Sequence, residues 1–306
     1  MLALQKASVG HRFPMRDRFF VLHNPNAGVA ARRHYHRILA LLRGRGASLE
    51  CVETSRHGDG MRAAAQAAVS ERFDAIVAAG GDGTIHDVAA GLLGTSAPLG
   101  IVPIGTANVF AREVGLPRSP ERVASTLMDG KVGIIPVGQI NGQPVLFVVG
   151  IGFDAEAVRR FENAGTRKLG QAGFIGPIVH ALFSKGNRPL QIATDRGRSE
   201  AEWLIVTRAQ RYAGGFILCR EAGLTQTTFQ VLRFVGRGPL VRLRQLAALA
   251  CGLVRFDPDV RIEVANWVRV EGGADTPIQV DGEMLGALPV EISLHPQRLR
   301  LILPVS

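Results

Sequence analysis

Short apolar runs alternate with amphipathic stretches along the first third of the chain. Arg18 to His23 is an apolar run closed by the turn cluster Asn24-Pro25-Asn26-Ala27-Gly28, after which Ala30 to Leu42 repeats apolar residues at helical spacing. Ala47 to Glu53 predicts a second strand ending at Thr54, and Met61 to Glu71 a second helix. Asp74 to Ala79 is a third apolar run, stopped by Gly80-Gly81, and beyond it Ile85, Val88, Ala89, Leu92 and Leu93 share one helical face. Leu99 to Ile104 predicts a fourth strand, and Gly105-Thr106-Ala107-Asn108 leads into a helical segment over Val109 to Val114. Strands alternating with helices predict an α/β domain built on a doubly wound parallel sheet.

Past Ile134 the period changes. Val137 to Ile140, Val145 to Val149, Leu190 to Thr194, Trp203 to Thr207, Phe229 to Phe234, Val260 to Ala265, Val268 to Glu271, Ile278 to Val280, Val290 to Leu294 and Leu299 to Leu303 are strand-like runs separated by turn residues. That spacing predicts a second domain rich in antiparallel sheet. Two stretches, Ala155 to Phe183 and Leu240 to Phe256, read as helical interruptions. The chain has no internal repeat and no low-complexity tract.

Composition agrees with two ordinary domains: 306 residues, 46% of them hydrophobic and 20% charged. No apolar run approaches the roughly 18 residues a spanning helix needs, and Met1 to Arg18 lacks the apolar core of a secretory signal. The expected location is the cytoplasm. Cys51, Cys219 and Cys251 are odd in number and lack metal-ligand spacing, which argues against a disulfide framework or a zinc site. A net charge of +10 leaves nucleic acid, anionic membrane and phosphorylated ligands all open as partners.

The motifs narrow that range. Gly80-Gly81-Asp82-Gly83-Thr84 lies between a buried strand and a helix, where the backbone approaches a ligand closely and a helix N-terminus favours phosphate. The Asn24 to Gly28 and Gly105 to Asn108 loops also leave the carboxyl ends of strands, so a parallel sheet brings all three to one edge. A Walker A lysine pattern, a dinucleotide glycine fingerprint and a protein-kinase catalytic loop are all absent, which disfavours those enzymes. Val280-Asp281-Gly282-Glu283 reads as a hairpin turn when taken alone. With Asp82, its two carboxylates also have the character of groups that position an acceptor hydroxyl or magnesium in phosphoryl transfer.

Together these residues resemble the diacylglycerol kinase catalytic-domain family, which includes bacterial lipid kinases and the sphingosine and ceramide kinases. The resemblance rests on Asn24 to Gly28, Gly80 to Thr84, Pro98 to Asn108, Gly150-Ile151-Gly152-Phe153-Asp154 and Asp281-Gly282-Glu283, in family order and across nearly the whole chain. It implies an α/β nucleotide-binding domain over residues 17–134, a β-sandwich lipid-substrate domain over 135–295, and a C-terminal strand, 296–306, returning to the first domain. It implies ATP and Mg2+ as cofactors, with nucleotide contacts from Asn24, Asn26, Gly28, Thr54, Gly80, Gly81, Asp82, Gly83, Thr84, Ile85, His86, Gly105, Thr106 and Asn108. Glu283, Asp281 and Asp82 become the catalytic acids, Asp82 and Asp281 facing the magnesium carried by ATP. The implied activity is phosphorylation of a hydroxyl of diacylglycerol or a related lipid, as in phospholipid biosynthesis, with a lipid partner and no nucleic acid.

Two alternatives stand beside this reading: an NAD kinase, which shares the glycine-aspartate loop but not the other motifs, and a nucleotide- and membrane-binding regulatory protein. The family aspartate after Asn108 is Val109 here, and Asp87 stands where a glutamate is common. Relatives carry Asp-Gly in a structural magnesium site where this chain has Leu224-Thr225-Gln226-Thr227-Thr228-Phe229, and Gln226 brings no charge to it. Arg159, Arg160, Arg167 and Lys168, beside Phe161, Phe174, Ile178 and Phe183, suggest a surface for peripheral contact with anionic membrane. Oligomeric state is left open, a homodimer included.

Overall fold

Parallel pairing organises the first half of the chain. In the computed structural model, which describes residues 15–25, 28–54, 56, 58–163, 175–183, 189–212 and 215–304, β1 (Arg18–His23), β2 (Ser48–Glu53), β3 (Ala75–Gly80) and β4 (Leu99–Pro103) lie in the order β2-β1-β3-β4. The helices are α1 (Val29–Gly44), α2 (Asp59–Val69), α3 (Asp82–Leu92), α4 (Val109–Glu113) and α5 (Pro120–Asp129). Ile38, Leu39 and Leu42 of α1 join Val123 and Leu127 of α5 over one face of the sheet; Ala64 and Ala68 of α2 join Ile85, Val88 and Leu92 of α3 over the other. Each such fully buried leucine or isoleucine contributes about 1.5–3 kcal/mol. The chain steps from β1 outward to β2, then back past β1 to β3, so strand order reverses between β1 and β3. Ligands of open α/β sheets bind beyond the carboxyl ends at such a reversal.

The second half contains β5 (Lys131–Ile140), β6 (Gln143–Val145), β7 (Val148–Ile151), α6 (Phe153–Asn163), α7 (Ile175–Leu182), β8 (Leu190–Thr194), β9 (Gly197–Ala201), β10 (Trp203–Thr207), β11 (Arg211–Tyr212) and β12 (Phe216–Ile217). It continues through β13 (Phe229–Phe234), α8 (Pro239–Ala250), β14 (Val260–Ala265), β15 (Val268–Glu271), β16 (Ile278–Val280), β17 (Glu283–Leu285) and β18 (Val290–Leu303). One antiparallel sheet runs β14-β13-β10-β7-β16-β17. It packs on strands of the other sheet through Ile140, Ile192, Leu204, Val231, Val268, Ile278 and Ile292. The expected architecture, an α/β domain followed by an antiparallel sandwich, is the one observed.

β18 joins the two halves. It pairs in parallel with β4 at Leu301, antiparallel with β15, and antiparallel with β5 along both its ends, with an irregularity between Leu294 and Arg298. The two runs expected at Val290 to Leu294 and Leu299 to Leu303 are therefore one strand. The boundaries expected at 134/135 and 295/296 fall inside β5 and β18, which are continuous there.

Three other differences have local causes. The strand expected over Val145 to Val149 is broken between β6 and β7, because the amides of Leu146, Phe147 and Val148 turn toward the Asp281 carboxylate. The helix expected over Ala155 to Phe183 is seen as α6 and α7, residues 164–174 lying outside the described residues. Helix α5 was not expected. Its start was nonetheless encoded: the Ser119 hydroxyl accepts from the Arg122 amide, and Pro120 occupies the first helical turn.

Candidate active site

The loops after β1, β2, β3 and β4 meet at one sheet edge. The Asn24 amide donates to the Ala79 carbonyl (3.1 Å) across the reversal point, and the amide and hydroxyl of Thr54 both face the His23 carbonyl. Gly28 caps α1 without a side chain. Gly81 does the same for α3, in extended conformation, so the first-turn N–H groups of that eleven-residue helix receive no side-chain cap. Uncapped N–H groups and the helix dipole together suit an anion.

Small residues are required here. A β-carbon on Gly105 would lie 2.3 Å from the Gly81 α-carbon, so the loops after β3 and β4 touch backbone to backbone. One on Gly80 would strike the Thr84 hydroxyl oxygen at 2.2 Å. Asn108, at φ 47°, closes the third loop by accepting from the Gly105 amide (2.9 Å) and donating to its carbonyl (2.7 Å). Thr106 is exposed beside it. A cavity of about 290 Å³ opens next to Gly105 and Asn108, lined also by His34, Arg112 and Arg118. A larger hollow of about 560 Å³, among Arg18, Ser48, Glu50 and Arg72, lies at the amino ends of β1 and β2, away from these loops.

Glu283 reaches this edge from the other domain. Asp281 and Gly282, both at positive φ, form a two-residue turn between β16 and β17, with Val280 paired to Glu283. The hairpin reading of this motif is therefore correct, and the turn also delivers a carboxylate: Oε1 of Glu283 lies so close to Gly83 that a β-carbon there would be 2.6 Å away. The turn is held from below. Gln279 accepts from the Gly282 amide (2.8 Å) and donates to Oδ2 of Asp154 (2.8 Å), while the Tyr212 hydroxyl hydrogen-bonds to Oδ1. Burial pushes the Asp154 carboxyl above its ordinary range against both hydrogen bonds.

Asp82 and Asp281 each hold backbone segments of the site. Oδ2 and Oδ1 of Asp82 accept from the amides of Val109 and Phe110 (3.0 Å each), capping α4. Asp281 accepts from Leu146 (2.7 Å), Phe147 (3.0 Å) and Val148 (2.9 Å). All four oxygens accept backbone amides, so both carboxylates brace segments of the site in this structure. Burial raises both carboxyls above the usual range, opposed at Asp82 by its two amides and at Asp281 first by His86. Among the described residues no group of three or more His, Cys, Asp or Glu is arranged to hold a metal.

Other expected nucleotide contacts also separate. Ile85 is fully buried in the core on α3 and does not face the edge. His86 points to the second domain: Nε2 donates to the Pro144 carbonyl (3.1 Å) and lies 3.6 Å from Oδ2 of Asp281. Asp87 accepts from the Gly58 amide (2.9 Å) and holds the segment following Thr54. Asn26 lies outside the described residues. Gln279 and Tyr212 escaped the sequence reading, since neither belongs to a glycine loop or an acidic motif.

Comparison with known proteins agrees with this fold. Residues 18–140 match the family model of the diacylglycerol kinase catalytic domain, and residues 147–303 that of the YegS C-terminal NAD kinase beta sandwich-like domain. The chain is 29% identical to a diacylglycerol kinase of Bacillus subtilis over 291 residues, 93% of this chain and 95% of the relative. It is 30% identical to a diacylglycerol kinase of Mycobacterium tuberculosis over 295 residues, 92% and 94% of the two chains. A crystal structure described as a putative diacylglycerol kinase from Bacillus anthracis shares the fold, with a TM-score of 0.76 at 22% identity, covering 94% of this chain and 97% of that one. No described helix is long and apolar enough to cross a membrane. With two family models spanning most of its length and its loops gathered at one edge, the chain belongs to the diacylglycerol kinase catalytic-domain family and is a phosphotransferase with an alcohol acceptor.

Proposed function

We propose that this protein transfers the γ-phosphoryl group of Mg-ATP to a hydroxyl of diacylglycerol or a related lipid, a step of phospholipid biosynthesis. The observation that carries the reading is Glu283, a carboxylate supplied by the lipid-side domain against Gly83 in the first turn of α3. A phosphate fits the uncapped N–H groups of that turn, and the Gly81–Gly105 contact removes side chains from its path. Glu283 accepts the proton of the acceptor hydroxyl, the hydroxyl oxygen bonds to the γ-phosphorus, and the bond to the bridging oxygen breaks to release ADP. Magnesium arriving with the nucleotide would neutralise the phosphate charge, leaving Glu283 free as the base. Asp82 and Asp281 act as positioning residues.

Contact with a membrane surface belongs to the same reading. Val179 and Phe183 of the α7 region (Phe183 76% exposed), Leu240 (80%) and Leu243 of α8, and Leu253 and Phe256 (72%) are large exposed apolar side chains on neighbouring segments. Arg255 lies over the Phe256 ring. On α6, Arg159 and Arg160 are both paired with Glu156, and Arg167, Lys168 and Phe174 lie outside the described residues, so α7, α8 and residues 253–256 offer the better docking face.

The test is incubation with γ-labelled Mg-ATP and a bacterial lipid extract, beside Glu283→Gln. Label entering a lipid with the native protein and not with the variant is expected. Label appearing at the native rate in Glu283→Gln refutes the base, and ATP binding without any labelled lipid refutes the acceptor class.

A further inference from the structure

Arg208 follows β10 and is 1% exposed, among the largest fully buried side chains of the protein. Its guanidinium is met by carbonyl oxygens: Nη1 donates to Pro136 of β5 (2.7 Å), and Nη2 donates to Leu224 (2.6 Å) and Gln226 (2.8 Å). Among the described residues no carboxylate hydrogen-bonds to it, and its Nε has no hydrogen-bond partner. A buried charge so held is costly unless its setting supplies compensation. The three carbonyl dipoles supply part, and Asp281 attracts it electrostatically.

Carbonyl oxygens drawn from separate segments onto one buried positive charge are what a structural cation produces. The resemblance implies magnesium at Leu224 to Phe229, and the residues present do not fit it. The carbonyls of Leu224 and Gln226 are already occupied by Arg208. The Gln226 side chain is uncharged and turned away, donating to the Glu221 carbonyl (2.9 Å).

We infer that the Arg208 guanidinium replaces a structural divalent cation in this protein, gathering the Leu224–Gln226 loop and β5 around a covalently attached charge. The consequence reaches the active site through one segment. The Arg208 amide donates to the Phe147 carbonyl (2.9 Å), while Asp281 takes the amides of Leu146, Phe147 and Val148. The Arg208 backbone amide and the Asp281 carboxylate thus both hold Phe147, and Asp281 begins the turn that carries Glu283. Arg208 is a positioning residue, and the turn is held without any divalent ion other than the one that accompanies nucleotide. The inference does not depend on which hydroxyl is phosphorylated.

The experiment uses the full chain without nucleotide. The native protein is expected to melt at the same temperature in chelator and in excess MgCl2, and to hold no tightly bound Mn2+ by electron paramagnetic resonance. Arg208→Met is expected to melt several degrees lower, with no response to Mg2+. Combining it with Gln226→Asp restores the charge as a ligand, so the double variant is expected to bind Mn2+ and to melt higher with Mg2+ than with chelator. A merely structural arginine would not create that metal response.

Tight Mn2+ binding by the native protein that Gln226→Ala abolishes overturns the inference, as does native-like melting of Arg208→Met or a folded double variant blind to both metals. If the Arg208 variants do not fold, the Mn2+ titration of the native protein decides alone: a bound ion refutes, and none supports.

Discussion

Glu283 and Gly83 are in contact across the domain boundary, the carboxylate resting where a β-carbon on residue 83 would come within 2.6 Å of Oε1. A helix N-terminus in one domain and a hairpin residue in the other thereby form a single site. A larger residue at 83 would push the Glu283 carboxylate aside.

Gly83→Ala therefore displaces Glu283. Steady-state kinetics are expected to show kcat lower by about 100-fold, the scale of an ångström-sized misplacement of a catalytic group. Thermal melting is expected to change little or rise, because Gly83 lies inside α3 and alanine favours helix by about 1 kcal/mol. A variant with native kcat would show that Glu283 is not positioned by this contact.

Asp82→Asn tests whether that carboxylate is a structural cap. Its two oxygens receive the amides of Val109 and Phe110, and asparagine accepts only one of them. Denaturant unfolding is expected to show a loss of about 1–3 kcal/mol. Activity is expected to fall while retaining its native pH profile; a lost acidic limb would instead make Asp82 the base.

Asp154 supplies a pH signature. Burial holds its carboxyl above the ordinary range, so the folded protein binds that proton more tightly than the unfolded chain. Unfolding free energy attributable to this group is unaffected below the unfolded carboxylate range and falls as pH rises from that range through the folded value. Asp154→Asn, which carries no titrating proton, is expected to flatten that fall in unfolding measured across acid to neutral pH. An unchanged slope refutes the assignment.

The apolar face predicts a separation of binding from chemistry. Leu240→Ser, Leu243→Ser and Phe256→Ser combined are expected to reduce sedimentation with phosphatidylglycerol vesicles several-fold and leave activity on detergent-dispersed diacylglycerol unchanged. These side chains are exposed. Equal sedimentation of native and variant protein would place the membrane contact elsewhere.

Much of the architecture was legible in the amino-acid order. Helical and alternating periods identify β1 to β4, α1 to α3 and most sandwich strands, because burial of one face imposes its period on the sequence. The glycine loops were legible because backbone contact, as between Gly81 and Gly105, admits no side chain. Gln279 was not: it sits in an apolar alternation, Ile278-Gln279-Val280, that reads as a surface position, yet it is 1% exposed. Strand β16 has both faces covered, and only the packed sheet decides that. Arg208, after the fully buried strand Trp203–Thr207, carries no local mark of its three carbonyl partners for the same reason.

The residue order by itself determined the element types, the polar loops at the strand ends and the acids available for chemistry. Direction was decided by tertiary structure. Asp82, Asp281 and Glu283 are equivalent in a motif, but backbone amides from distant segments claim the oxygens of the first two, while the Asp281-Gly282 turn projects the third onto α3. Local sequence sets backbone conformation through near neighbours; which buried donor meets which acceptor depends on segments brought together only when the sheets pack.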